Sequence, residues 1–550
     1  MPWPLSGGGG ECLGTFAGPH VLFRSFFLLR SSFTARQAAL PMIAIPRRVS
    51  LNLLTNTLST VLNALCGFLI LPFLIDQLGR ETYGLWTLIV ATVGYFMVLD
   101  FGVNGALGRL IAGHRAKDNI AATNEVMSTT LVLLLGVCAF VIVITLFIHV
   151  PFFWLFQVPA GEQDDVRAAL LIIGITTALS FPGTVGYGFL YGYERFDLYN
   201  MVEIPTLLIR TGLTLWLIHS GSGLVELAWI VAGTTVASYL VRAFVCWWVE
   251  PRLRLRLRLF SRPLVYEVFA FGFWFSLMIF SRAALPNVAP FVIGHGLGAA
   301  AVTTYTIPRM LVTYSSWITV SATQALAPRA AVYHFGQEHE KQQELFLSGG
   351  RYAWALSLFF VGGAVLLGLP LLNLWQGGVQ LIEYDLLIVL ILGEAIPMSQ
   401  WITYNTIVSM GRHRRLAVFG FAEGLTILVL SAAVIGRYGL FGVACVVALS
   451  ALLFRGLLQW TYGCALVQVS LLRYARFVFL PIGLAALLAF GLFGLLRLWF
   501  VPETWFSFLL AGALYGALYW AIMVTLLPPL FTEDAEQRPQ VAVPMGGGDA

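Results

Sequence analysis

Arg210, Arg282, Arg309 and Arg455, with Asp100, Glu394 and Glu423, stand deep inside stretches that are otherwise apolar. An Arg or Asp at the centre of a membrane helix costs roughly 2.5–3.5 kcal/mol on insertion scales, so spans that keep such groups turn them toward a wet cavity or a partner. Arg109 and Arg242 lie within a turn or two of a span end and read as snorkelling side chains. Polar residues accompany the deep charges on single helix faces. Asn52, Asn56, Ser59 and Asn63 step by four, three and four, which places them on one side of a helix. Thr306, Arg309, Thr313 and Ser316 do the same, with Tyr305 one turn before Arg309. Pro286 and Pro290 follow Arg282, and Pro308 precedes Arg309; proline frees backbone carbonyls, which is tolerated where neighbours or water re-satisfy them. Together these residues describe a polar, net-cationic chamber. The Asn stripe reads equally as hydrogen bonding between helices. Arg282 and Arg309 read as substrate contacts, because neither has an acid partner on its own helix. A guanidinium stays charged and grips phosphate oxygens with two parallel bonds, so the chemistry such a chamber suits is recognition of a diphosphate.

The elements that must hold these residues are membrane helices. Spanning takes about 20 apolar residues, because the hydrocarbon core is about 30 Å thick. Fourteen such segments follow Pro46, from Leu51–Ile75 to Trp505–Leu530. Composition agrees: 59% of residues are hydrophobic, 11% are charged, and the mean hydropathy is +0.83. The expected fold is all-α and polytopic, about fourteen transmembrane helices in two pseudo-symmetric six-helix halves plus two C-terminal helices. Its parts are an N-terminal extension (1–46, expected disordered), a first half (47–249), a basic linker (250–263), a second half (264–470), two additional helices (471–530) and a disordered tail (531–550). The last pair is nearly charge-free and reads either as a groove for a lipid tail or as lipid-facing bulk.

Lys and Arg collect in alternate loops. One side holds 22 of them and the other only Arg80, Arg167, Arg437 and Arg497, with 6 of the 32 inside spans. The positive-inside rule then puts both termini in the cytoplasm, which an even number of spans requires. The Arg252–Arg258 run is expected to meet anionic headgroups. The net charge of +5 sits in loops and not on one basic face, so it gives no nucleic-acid signal. There is no P-loop and no soluble nucleotide-binding domain. His149, His219 and His295 are single residues near helix ends, and the cysteines show no paired spacing; the chain reads as having no catalytic centre, metal or cofactor.

Three landmarks recur at offsets between 216 and 220. Pro72-Phe73-Leu74-Ile75 returns as Pro290-Phe291-Val292-Ile293, Gly223-Leu224 as Gly439-Leu440, and Gly192 with Glu203 as Gly411 with Glu423. Repeats of this kind mark transporters that hold substrate between halves near mid-membrane. The run from Leu71 through Gly79-Arg80-Glu81-Thr82-Tyr83-Gly84 to Trp86 resembles the first loop of oligosaccharide flippases. These are the polysaccharide-biosynthesis exporters of the multidrug/oligosaccharidyl-lipid/polysaccharide superfamily. Leu99-Asp100-Phe101-Gly102-Val103-Asn104-Gly105 through Arg109 resembles their second helix, and Gly192-Tyr193-Glu194-Arg195-Phe196 and Gly411-Arg412-His413 their fourth and tenth loops. The likeness runs from about Arg48 to Leu530. It departs at Ala289 and Pro290, where many relatives carry an acid.

The resemblance implies a flippase, similar to the lipid II flippase, in a bacterial inner membrane. It would move a polyprenyl-diphosphate-linked oligosaccharide to the outer leaflet by alternating access, alongside membrane lipids and polysaccharide-assembly proteins such as a polymerase. Candidate substrate residues are Arg282, Arg309, Asn56, Ser59, Asn63, Asp100, Asn104, Tyr305 and Thr313, with Arg109, Arg210 and Arg455 secondary. Glu203, Glu226 and Glu423 read as structural partners of arginines in their own halves. The competing readings are a small-molecule/cation antiporter of the same superfamily, and a membrane glycosyltransferase or polymerase, for which the external loops are too short.

Overall fold

The computed structural model describes residues 47–100, 103–218, 223–324, 326–377 and 381–527, and among them helix dominates and no strand occurs. The N-terminal extension and the 531–550 tail lie outside the described residues. Among the described residues, nine stretches are long and apolar enough to cross a bilayer, one of them Arg414–Val467, whose 54 residues extend about 80 Å at helical rise, enough for two crossings.

The first half begins with α1 (Arg47–Leu78), α2 (Arg80–Gly94) and α3 (Val103–Arg115), followed by α4 (Ile120–Phe147) and the short α5 (His149–Phe156). It continues with α6 (Gln163–Gly183), α7 (Val185–Gly192), α8 (Phe196–Leu217) and α9 (Leu224–Val249). Two of the expected spans are interrupted here. The second tightens into a 3-10 turn over Tyr95–Asp100 between α2 and α3. The fourth breaks after Pro182, where the Ser180 and Thr184 hydroxyls donate to the Thr177 and Phe181 carbonyls at 2.6 and 2.7 Å. These hydroxyls cap carbonyls just before the break, whereas the carbonyl that Pro182 itself deprives of an N–H donor is that of Ala178.

After the linker come α10 (Arg262–Leu297), α11 (Ala299–Gln324), α12 (Ala327–Phe335), α13 (His339–Gln376), α14 (Leu381–Ser399) and α15 (Trp401–Ser409). Next is α16 (Arg414–Ala451), bent at Gly439, whose φ of 56° and ψ of −146° favour a residue without Cβ. A π-helical turn, Leu452–Leu458, leads into α17 (Gln459–Val467). The eleventh and twelfth expected spans are thus joined through a bend with no loop. The chain ends in α18 (Leu471–Tyr474), α19 (Leu480–Arg497) and α20 (Trp505–Leu526). Both α19 and α20 pack on α13: Tyr515 and Tyr519 donate their hydroxyls to the Phe359 and Ala355 carbonyls at 2.8 and 2.6 Å.

The linker is extended and fastened to α4. Asn124, Ser128 and Thr129, all buried, accept from the backbone N–H groups of Arg254, Arg256 and Ser261 at 3.0 to 3.1 Å. Its arginines point outward, and Leu255 and Leu257 are exposed between them. At its start the Arg252 guanidinium bonds Glu250 and holds that carboxyl below the usual range.

α2 and α10 pack together, α2 also packs on α11, and α3 packs on α10, so these four helices join the two halves. A fourteen-crossing chain with cytoplasmic termini is expected to expose Gly161 and Trp499 outside, and Lys117 and Arg258 inside. Single cysteines at these exposed positions test it with a membrane-impermeant thiol reagent. Labelling of the Lys117 variant in intact cells would overturn that topology.

Candidate functional site

Glu394 is the hub of the second half. It lies on α14 and is 4% exposed. Arg455 grips it with two bonds, Nη1 to Oε2 and Nη2 to Oε1, both 2.8 Å. The same guanidinium donates Nε to Glu423 on α16 at 2.8 Å. The π-helical turn carries Arg455; an inserted residue of this kind re-aims a side chain within a helix and is frequent at functional sites. Arg309 on α11 completes the network more loosely, by a single 3.2 Å bond from Nη1 to Glu394 Oε1. Its side chain is 19% exposed. The rest of its fork has no hydrogen-bond partner among the described residues.

Around Arg309 two arginines meet two carboxylates and the charges balance; the expected net-cationic chamber also drew on Arg282, whose side chain lies outside the described residues. Burial explains the balance, since taking one charge out of water is expensive unless an opposite charge and hydrogen bonds answer it. The acid missing from Arg309's own helix comes from α14, 85 residues on.

The first half answers its charges in a related way. Glu203 on α8 meets Arg242 on α9 at 2.7 Å, as Glu423 on α16 meets Arg455 near the end of the same helical stretch. Arg242 does not snorkel. It is 4% exposed, with its guanidinium carbon 4.8 Å from the Tyr199 ring centre and 5.5 Å from that of Tyr239. Arg210 bonds the Thr234 and Thr235 hydroxyls at 2.9 and 2.8 Å. Glu226 pairs with no arginine among the described residues; it accepts from the Gly223 N–H at 2.8 Å and caps its own helix.

The other candidates divide. Asn56 is exposed and accepts from the Asn200 amide at 2.6 Å, while Asn63 donates to the Ser59 carbonyl at 2.9 Å. The stripe therefore serves partly as contact between α1 and α8 and partly within α1. Thr313 donates to the Arg309 carbonyl at 2.9 Å. Tyr305, 1% exposed, lies in the hydrophobic core and not on an open surface, because α11 turns that face toward α2 and α14. Asp100 closes the 3-10 turn, and Arg109 is exposed on α3. The side chains of Arg282 and Asn104 lie outside the described residues, although both belong to helices.

Sequence reasoning passed over one pair. Arg80 reaches Glu383, fully buried at the start of α14, at 2.6 Å. Thr303 donates to the Arg80 carbonyl at 2.6 Å, and the Phe68 and Trp375 rings stack 4.6 Å apart. These links join the two halves at the end of the bundle away from the linker. Gly84 permits the close approach there, since a Cβ would run into the Ala299 carbonyl oxygen.

Residues 50–334 match the family model described as polysaccharide biosynthesis protein. The "Putative O-antigen transporter" of Shigella flexneri is 24% identical over 396 residues, 71% of this chain and 92% of that protein. Among solved structures, the lipid II flippase MurJ in an inward closed conformation superposes with a TM-score of 0.65 at 14% identity, over 88% of this chain and all of that one. An inward-facing multidrug resistance MATE family transporter of the MOP superfamily gives 0.62 at 16% identity, over 74% of this chain and 94% of that one. At these identities the structural likeness speaks to the fold.

Glu394 answers two arginines, whereas Glu423 shares Arg455 with it. Removing one partner of a buried pair costs about 3–5 kcal/mol, so Glu394→Ala is expected to lose more stability than Glu423→Ala. Thermal unfolding of the purified variants in detergent measures this, and an equal or reversed order would remove Glu394 from the centre of the network.

Proposed function

Because the chain belongs to the polysaccharide biosynthesis protein family, we propose that it is a flippase for a polyprenyl-diphosphate-linked oligosaccharide, moving it from the cytoplasmic to the outer leaflet of the bacterial inner membrane. The observation that carries this reading is the one-sided coordination of Arg309. Glu394 steadies it by one bond, and Arg455 holds Glu394 in turn, so the remaining N–H groups are presented in a fixed orientation. A preoriented guanidinium with unused donors suits a diphosphate, which takes parallel bonds from a planar fork. Arg455, committed to two carboxylates, is a positioning residue and not a contact.

On this reading the saccharide and diphosphate cross through a wet chamber between the halves while the prenyl chain stays in lipid. Alternating access follows from rocking of one half against the other. The Arg80–Glu383 pair and the α2–α11 contact close the outer end in the state described here, and they separate when that end opens. Membrane lipids surround the route, and polysaccharide-assembly proteins, a polymerase among them, supply its context. A cation antiporter needs a carboxylate free to exchange its ion; Glu203, Glu394 and Glu423 are each held by an arginine.

Charge and shape separate at Arg309. Arg309→Lys keeps the charge without the fork and is expected to retain part of the export activity, whereas Arg309→Gln retains almost none. Complementation of surface-glycan display in a flippase-null host, at matched protein levels, reads the difference. Equal activity of the two variants would remove Arg309 from the substrate site.

A further inference from the structure

Three tyrosines, Tyr187, Tyr199 and Tyr239, gather around the Glu203–Arg242 pair on α7, α8 and α9, and Tyr191 adjoins Tyr187. Tyr187 sits edge-on to Tyr199 at 5.0 Å and 6.1 Å from Tyr191, and Arg242 lies against Tyr199 and Tyr239. The Glu203 side chain is 37% exposed, although it stands eight residues into a 22-residue helix. A carboxylate at that depth is tolerated where a partner or water answers it; Glu203 has the Arg242 partner and also an exposed flank, which opens a recess beside the pair. The recess continues to α1, where Asn200, next to Tyr199, bonds Thr55 and Asn56 at 3.2 and 2.6 Å.

We propose that this recess is the saccharide subsite, with Tyr191 as a stacking platform for a sugar ring and Glu203 as an acceptor for its hydroxyls. The assignment rests on the flippase reading and deepens it. Tyr191 is built for the role: one side of its ring presses on Gly108 of α3, where a Cβ would fall 2.5 Å from its Cδ1, and Phe196 supports its edge at 5.2 Å. The residue is nonetheless 47% exposed. An aromatic ring is apolar on its face, and the axial C–H groups of a pyranose are the matching surface. Arg242 pairs with Glu203, and Arg210 beside them bonds the Thr234 and Thr235 hydroxyls, so both arginines here are already answered by side chains. The chemistry of the recess fits a neutral polyol, whereas the Arg309 side of the chamber fits phosphate. The two halves place an acid on the fifth span and an arginine on or after the sixth, then diverge: carboxylates surround the second arginine, and rings surround the first.

Two probes divide the assignments: a polyprenyl diphosphate, and the same lipid carrying one N-acetylglucosamine, titrated against the full-length protein in nanodiscs. Wild type is expected to bind the glycosylated probe more tightly. Tyr191→Ala and Glu203→Gln should each weaken that binding about tenfold, the scale of one lost aromatic contact or hydrogen bond, and leave the bare diphosphate unchanged. Tyr191→Phe keeps the ring and should bind as wild type does, and Tyr191 is exposed enough for its variants to fold. Arg309→Gln should weaken both probes. Equal wild-type affinity for the two probes, or a parallel loss of both in Tyr191→Ala, overturns the saccharide subsite. If Arg309→Gln leaves both unchanged while the Tyr191 pattern holds, the diphosphate assignment falls alone; if wild type binds neither, both fall.

Discussion

A hydrocarbon core offers no solvent to a charge, so each ionised group within it must be answered by the protein or by water that the protein admits. The helices described here are arranged around those answers. Glu394 lies where three helical stretches meet, because Arg309 and Arg455 approach it from α11 and from the π-helical turn. Glu203 fixes α8 to α9, and Glu383 fixes α14 to the start of α2. Apolar packing supplies the bulk of contact but little direction, since lipid is as apolar as leucine. The charge pairs give the packing its register.

The same constraint explains why similar pairs serve different ends. A carboxylate that is fully buried, as Glu423 is, is spent on structure. One that stays partly exposed, as the Glu203 side chain does, leaves part of its surface uncovered by the protein. The distinction holds for the arginines: Arg455 directs all its described bonds at carboxylates, and Arg309 gives up one donor.

The helices were legible in the sequence because a membrane span advertises itself by length and apolarity alone; the first half was expected to end at residue 249, and α9 ends at Val249. Interruptions were harder, since Thr184 and Gln400 look unremarkable until the hydrogen bonds of the neighbouring carbonyls are followed. Pairing was legible only in part: Glu203 and Glu423 do meet arginines of their own halves, Arg242 and Arg455, but which arginine each would meet was not. Nothing on α11 announces that Glu394 will face Arg309, because helix order along the chain does not tell which faces meet. Arg242 was near enough to a span end to reach water, yet Glu203, Tyr199 and Tyr239 draw it inward. Glu226 carried a readable signal, an acid three residues after Gly223 at a helix start, which marks a cap and not an ion pair. Residues 50–334 carry the family match, and the order of short loop motifs within them was the clearest sequence evidence of kinship.

The fastening of the linker to α4 has a mechanical consequence. Its backbone is hydrogen-bonded to Asn124, Ser128 and Thr129 as far as Ser261, and α10 begins at the next residue, Arg262, with Pro263 in its first turn. Scarcely any slack separates the part of the chain anchored to α4 from the part that belongs to α10. A sliding displacement between them has no chain to draw on. What the joint permits is a swivel at Ser261, with φ of Pro263 locked by its ring. The covalent connection thus acts as a pivot pin, confining relative movement near it to rotation and setting the lever arm over which distant residues must travel.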